Sequence, residues 1–594
     1  MSEDVGAFAN AVGRIAYEFS LIRPMIPTYV HLILSALFPI VAGAHASLSR
    51  PSSAAKTRRQ SKTADRQDDD DDEEEEVQKM EGLSPSDALM FPLLAGCTLA
   101  GLYFLIKWLQ DPTILNKLLN GYFAFFGVFS VAKLICDFLD FMQGFVYPRK
   151  YVSGGALWEV SGADRQVRIV SGTGGSLRVS PLPGLLSRLP LPSPIMNFLW
   201  SVREIPCQKW TVKLYVHKIA ALRAKLGTNM IVAALAGLAS VVYFNTVSKP
   251  WFLTNLMGFA FSYAALQIMS PTTFATGSLI LSALFFYDIY FVFYTPMMVT
   301  VAKTLDIPIK LVFPRPPSPT DADALPSFAM LGLGDVVLPG ILIGLALRFD
   351  LYLFYLRKQT KVTVTKNEKE TVEVLKATYT SLSNRWGENF WTHSWLGRPL
   401  APEQAMQNPT TFPKPYFYAS LTGYIAGMLA TLVVMHIFEH AQPALLYLVP
   451  GVLISTWTTA LVRGELRAMW EFSEAVEDEQ GSSKDSKTGD RHAQAMEAIK
   501  SWPNFFTLEE LTSMAYPMNA RGGGGKLGLE VAIPRRRERE VFSLTIEAPF
   551  KLSRPGSVGG VDLTAGVDGL AKNSSSDATF DDEGQPVAKR ARHV

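Results

Sequence analysis

Two aspartates stand alone in apolar surroundings: Asp288 in LFFYDIYFVF (284–293) and Asp335 in SFAMLGLGDVVLPGILIGLAL (327–347). A carboxylate inside a membrane span costs about 2.5–3.5 kcal/mol on insertion scales, so each needs a reason to be there. Read as consecutive antiparallel spans, 273–298 and 327–347, the two runs place Asp288 10 residues before one end (298 − 288) and Asp335 8 residues after the next start (335 − 327). Those offsets are about 15 Å and 12 Å from the shared loop at 1.5 Å per residue. The carboxylates are therefore expected at one depth, whichever way the chain crosses the membrane. Two facing carboxylates in a low-dielectric site do not both ionise readily, so one keeps a proton near neutrality. Such a pair supplies a base to activate water and an acid to protonate a leaving amine. Gly332 and Gly334 remove bulk beside Asp335. Pro339 offers no N–H to the Asp335 carbonyl four residues earlier, which weakens the helix at that point. On depth and composition alone, a proteolytic dyad and the proton site of an ion-coupled transporter stand level. A structural pair, hydrogen-bonded across two helices, is a third reading.

The rest of the chain must hold these residues in a membrane. Of 594 residues 19% are charged, below the roughly 25% of soluble domains, and the charges crowd into a few blocks between long bare runs. A net charge of +2 argues for neither nucleic acid nor acidic substrates. Cys97, Cys136 and Cys207 are too dispersed for a disulfide framework or a zinc cluster. Nine apolar stretches are long enough to span: 26–46, 87–109, 119–141, 227–246, 251–269, 273–298, 327–347, 416–438 and 442–462. The first, with acids before it and no basic n-region, is expected to be retained as a span. Lys133, Asp137 and Asp140 make the third the least regular.

These spans divide the chain into seven segments. Residues 1–48 hold the N-terminal segment and first span, and 49–86 an acidic, disordered cytosolic linker. Residues 87–226 hold spans two and three and a cytosolic loop, of which 142–226 is expected to form a small β-containing element. Residues 227–348 are the core with both aspartates, 349–415 a cytosolic insert, 416–462 the last two spans, and 463–594 a mostly disordered tail. Basic residues such as Arg58, Lys213, Arg223, Arg357 and Arg463 gather in alternate loops and the tail, which sets the N-terminus in the lumen and the C-terminus in the cytosol.

Three short motifs occur in order on three of these spans: YD at 287–288, GLGD at 332–335 and QPALLYLVP at 442–450. With the flanking MMVTVAKTLDIPIKLVFP, FAMLGLGDVVLPG and MHIFEHAQPALLYLVP, the chain from about 227 to 470 resembles the signal peptide peptidases, GxGD-type intramembrane aspartyl proteases of the presenilin superfamily. The resemblance implies an all-α polytopic membrane protein with nine transmembrane helices. It implies an endopeptidase that cuts inside transmembrane segments, above all remnant signal peptides and other spans whose N-terminus faces the cytosol. Asp288 and Asp335 match the family's catalytic pair, and Pro443, Ala444 and Leu445 its PAL motif, which helps hold substrate. Tyr287, Gly332, Leu333, Gly334 and Gln442 are supporting positions, and Tyr287 is read equally as packing. No cofactor or metal is implied. The implied partners are transmembrane peptide substrates and the bilayer; homo-oligomerisation and quality-control partners are left open. By the same analogy the protein resides in the endoplasmic reticulum membrane. The short loop of about 299–326 between the catalytic spans fits this family better than presenilin.

Other motifs weigh less. HIFEH (436–440) matches an inverted zinc-peptidase pattern but lies at a span end with no downstream ligand, and reads as an interfacial histidine pair. RGGGGKLGL (521–529) lacks the Ser/Thr of a phosphate loop. RRRERE (535–540) and the terminal KRARHV read as solvated charge, and NSS (573–575) falls on the cytosolic side. The competing functions are a transporter using the aspartates as a proton site and a scaffold that binds spans without cutting them.

Overall fold

A computed structural model describes residues 23–55, 80–109, 111–162, 165–170, 177–189, 191–216, 220–305, 307–308, 310–314, 328–366, 369–379, 386–394, 400, 412–438, 442–474, 530–531 and 542–547. Most of the acidic linker lies outside them, as do Glu439, His440, the glycine run at 521–529, 535–540, 573–575 and the terminal KRARHV. Residues 1–549 form one unit; 550–594 are a second and lie outside the described residues.

In chain order the described α-helices of six residues or more are α1 (Ile26–Ala46), α2 (Pro85–Leu109), α3 (Thr113–Val146), α4 (Ser193–Glu204), α5 (Thr228–Thr246), α6 (Trp251–Ile268), α7 (Phe274–Phe293), α8 (Met297–Thr304), α9 (Leu333–Arg357), α10 (Pro415–Phe438), α11 (Leu445–Arg463) and α12 (Leu466–Glu471). Among the described residues eight helices are long and apolar enough to cross a bilayer: α1, α2, α3, α5, α7, α9, α10 and α11. The fifth expected span is α6, whose apolar content is diluted by Thr254, Asn255, Ser262 and Gln267, all buried. Its polar groups hold neighbours: Asn255 Nδ2 donates to Val312 O at 2.9 Å and Asn255 Oδ1 accepts from Val312 N at 2.7 Å.

Three expected spans have ends that differ by five residues or more. The third is longer, because its charges are satisfied inside the bundle. Asp137 pairs with Lys133 and accepts from Tyr263 of α6 at 2.7 Å, and Asp140 accepts from Asn229 of α5 at 2.8 Å. The sixth stops at Phe293, where Pro296 caps a separate short helix, α8. The seventh starts at Leu333 rather than 327, because 328–332 form a strand. That strand, β10 (Phe328–Gly332), pairs antiparallel with β9 (Lys310–Pro314). Its period of two shows in burial: Ala329 and Leu331 face in, Phe328 and Met330 out.

The helix α9 is the axis of the bundle. Every residue from Pro339 to Leu351 is buried, as befits a helix apolar on all sides. The expected insert at 349–415 therefore begins inside this helix, and two charges beyond the apolar run are buried with polar partners. Arg348 bonds Glu474 (2.7 Å), Ser47 (2.8 Å) and Ser270 (2.5 Å). Asp350 accepts from the N–H groups of Tyr416 (3.3 Å) and Phe417 (2.9 Å), which are otherwise orphaned at the start of α10.

The remaining described strands lie in the connections, as β9 and β10 do, or in the tail. β1 (Glu81–Leu83) pairs parallel with β8 (Met269–Pro271). β2 (Lys150–Ser153), β3 (Ala156–Ser161), β4 (Gln166–Ile169) and β5 (Leu177–Arg178) form an antiparallel sheet within 142–226. Tyr151, Trp158, Val160, Val167 and Trp200 form its core, the last contributed by α4. β6 (Lys209–Val216) and β7 (Ala220–Gly227) make a hairpin that runs into α5. Two strands of the tail flank it: β13 (Glu530–Val531) on β7 and β14 (Phe542–Glu547) on β6. β11 (Thr360–Lys366) and β12 (Lys369–Leu375) form a further hairpin after α9.

Candidate active site

Asp288 lies five residues before the end of α7 (293 − 288) and its side chain is buried, 5% exposed. Its Oδ2 accepts from the backbone N–H of Leu445 at 3.3 Å. That N–H is free because Leu445 is the first residue of α11, where no helical acceptor precedes it. Gln442, Pro443 and Ala444 form the non-helical lead-in, and Pro443 is buried. The carboxylate thus stands at the positive end of the α11 dipole, a setting that favours an anion.

Asp335 occupies the first turn of α9, immediately after β10, and is partly buried within electrostatic reach of Asp288. Both helix ends fall short of the expected boundaries, by five residues at α7 (298 − 293) and six at α9 (333 − 327). The two shifts are of similar size and leave Asp288 five residues before the end of α7 (293 − 288) and Asp335 two residues after the start of α9 (335 − 333). A β-carbon on Gly332 would sit 3.4 Å from Asp335 Oδ2, and one on Gly334 would meet only Leu338 at 4.0 Å. Both glycines are exposed, so they leave a side-chain-free approach to the Asp335 carboxylate. Leu333 packs towards Gly258 of α6. The Tyr287 ring lies on Phe291, with centroids 4.6 Å apart, and close to Gly96 of α2.

One residue of the site has no counterpart among the expected positions. Tyr424 of α10 is fully buried, and its hydroxyl donates to the Asp335 backbone carbonyl at 3.3 Å. This is the carbonyl that Pro339 leaves without a helical donor. Helix α10 carries Tyr424 against α11 through glycine contacts: a β-carbon on Gly427 would stand 2.6 Å from Tyr447 O, and Gly423 and Gly451 touch backbone to backbone. One helix therefore braces Asp335 and packs on the helix that bonds Asp288. The missing donor at Pro339 is a signal in the sequence, but nothing there says which hydroxyl fills the gap.

Among the described residues no three His, Cys, Asp or Glu side chains cluster as metal ligands. The described site is built from two carboxylates, backbone donors and a tyrosine hydroxyl, which can position water and move protons.

The architecture is that of a polytopic membrane protein with paired acids on adjacent helices, the class of intramembrane aspartic proteases. The chain belongs to the signal peptide peptidase family, whose model matches residues 73–476. It is 29% identical to the signal peptide peptidase of Mus musculus over 421 residues, 71% of this chain and 81% of the relative. It is likewise 29% identical to that of Homo sapiens over 409 residues, covering 69% and 78%. Intramembrane protease 2 of Caenorhabditis elegans is 34% identical over 255 residues, covering 43% and 45%. The protein is an intramembrane aspartic protease acting on transmembrane substrates in a bilayer.

Proposed function

We propose that Asp288 and Asp335 are the catalytic pair of this protease, and that its substrates are transmembrane segments with a cytosolic N-terminus, remnant signal peptides among them. The observation that carries the assignment is their shared placement. Each sits beside a helix start, one bonded to the first N–H of α11 and the other in the first turn of α9. One carboxylate takes a proton from water as the oxygen attacks the scissile carbonyl. The other gives a proton to the amide nitrogen as the C–N bond breaks. The pair titrates as a unit, so acid and base roles belong to the dyad.

A helical substrate must unwind before its carbonyl is accessible. β10 offers a backbone edge opposite β9, leading straight to Asp335, on which an extended peptide can lie. The 442–445 lead-in, with Pro443 unable to donate, borders the site from the other side. Nine spans, with α6 as the fifth, put the N-terminus in the lumen and the C-terminus in the cytosol of the endoplasmic reticulum membrane. That orientation matches the substrates named.

Purified full-length protein in detergent, given a synthetic signal peptide, tests the reading. Asp288→Ala and Asp335→Ala should each abolish cleavage while the double variant still captures the peptide. Cleavage at the wild-type rate by both single variants overturns the assignment.

A further inference from the structure

The helix α4 has three faces. At 100° per residue, Met196, Trp200 and Arg203 share an arc turned to the β2–β5 sheet, where Trp200 is 2% exposed. Ser193, Asn197, Ser201 and Glu204 make a polar arc. The third arc, about 100° wide, holds Ile195, Phe198, Leu199 and Val202, and Ile205 extends it beyond the helix end. Among the described residues nothing is packed over its outer part: Ile195 is 46% exposed, Phe198 67% and Ile205 46%, while Leu199 and Val202 on its inner flank are half-buried. Leu186 and Leu189, just before the helix, are exposed as well. A soluble surface helix would carry polar residues there.

The contacts of α4 place it where two membrane-crossing helices end. The Arg203 guanidinium donates to Pro148 O at 2.9 Å, two residues past the end of α3, and to Pro181 O at 3.2 Å. Ile205 O accepts from the Thr228 hydroxyl at 2.9 Å, and Thr228 is the first residue of α5. Those two span ends carry exposed apolar side chains of their own, Phe138 and Val146 on α3 and Ile231 and Val232 on α5. The C-terminal end of α4 thus adjoins the exposed apolar ends of two membrane-crossing helices. At twelve residues α4 is about 18 Å long, too short to cross a bilayer and suited to lying in its surface.

We propose that α4 is an in-plane membrane anchor whose Ile195–Phe198 face is immersed in the cytosolic headgroup–acyl boundary, holding the β2–β5 sheet against the bilayer. The occupant is lipid because the helix that bears this face adjoins the exposed apolar ends of two helices long and apolar enough to cross a bilayer.

The test uses full-length protein lacking Cys97, Cys136 and Cys207, with an environment-sensitive fluorophore on Phe198→Cys, reconstituted at low protein-to-lipid ratio in phosphatidylcholine vesicles with brominated acyl chains. A label on Glu159→Cys, exposed on β3 of the same sheet, is the control. Brominated lipid should quench the label at 198 at least about twofold more than the one at 159, because the bromines sit at the depth such helices reach. Equal, weak quenching at both sites with water-like emission overturns the proposal. So does a label at 198 that is shielded from water yet not quenched, since a second copy or another protein then covers the face. Both labels sit at exposed positions, so the readout does not depend on a destabilising substitution.

Discussion

The two ends of α9 treat their charges in opposite ways. Past its middle, each nitrogen of Arg348 is bonded, to Glu474, Ser47 or Ser270, and each oxygen of Asp350 accepts from a backbone N–H of α10. In the first turn, Asp335 has glycines beside its carboxylate, and its braced atom is the backbone carbonyl, held by Tyr424. A buried charge with every partner in place is a fixture of the fold. A carboxylate whose scaffold is fixed but whose oxygens are left accessible is available for chemistry.

Substitution at the open end should separate activity from stability most sharply. Asp335→Asn or Asp288→Asn is expected to lower cleavage by at least about a thousandfold, with the apparent Tm in detergent little changed. At the other end the reverse holds. Glu474→Ala strands the Arg348 charge and should cost about 3 kcal/mol, read as a drop in thermal midpoint, with activity per folded molecule largely kept. A loss of activity without a loss of stability there would erase the contrast between the two ends.

Tyr424→Phe probes the brace between them. Loss of one hydrogen bond to a buried carbonyl costs about 1–1.5 kcal/mol, so kcat should fall roughly tenfold if that energy holds the Asp335 turn. KM should be unchanged, because the hydroxyl is buried against the Asp335 backbone carbonyl; a purely structural tyrosine would lower Tm and leave kcat per folded molecule intact.

A pH-dependent effect concerns Lys414, which precedes α10 and whose pKa is lowered from 10.5 to about 8 by burial, against the attraction of Asp350. The unfolded chain binds this proton more tightly than the native state, so stability rises as pH climbs from about 8 to 10.5 and the buried charge is discharged. Lys414→Met should flatten that part of a Tm-versus-pH profile measured in detergent.

The same contrast explains what could be read from the sequence. Lone acids in apolar runs stand out, so Asp288 and Asp335 were visible, and hydropathy marked the helices that carry them. Hydropathy is blind to period inside an all-apolar stretch, so SFAMLG read as helix although 328–332 is a strand. It also ended the seventh span at 347, because Arg348 and Asp350 look like surface residues until their partners, from the C-cap of α1, β8, α10 and the segment after α12, are assembled around them. Tyr424 was hidden for a related reason: one tyrosine among apolar neighbours has no distinguishing mark, and its role depends on a carbonyl 89 residues away.

The pairing of β14 with β6 carries a consequence for biosynthesis. Glu547 lies opposite Thr211, a separation of 336 residues (547 − 211), and all the helices from α5 to α12 are made in between. At about 5–20 residues per second, β6 leaves the ribosome with a bare edge for on the order of tens of seconds. A chain that stalls or is cut before 542 never covers that edge, which makes the closed sheet a built-in receipt for a completely inserted protease.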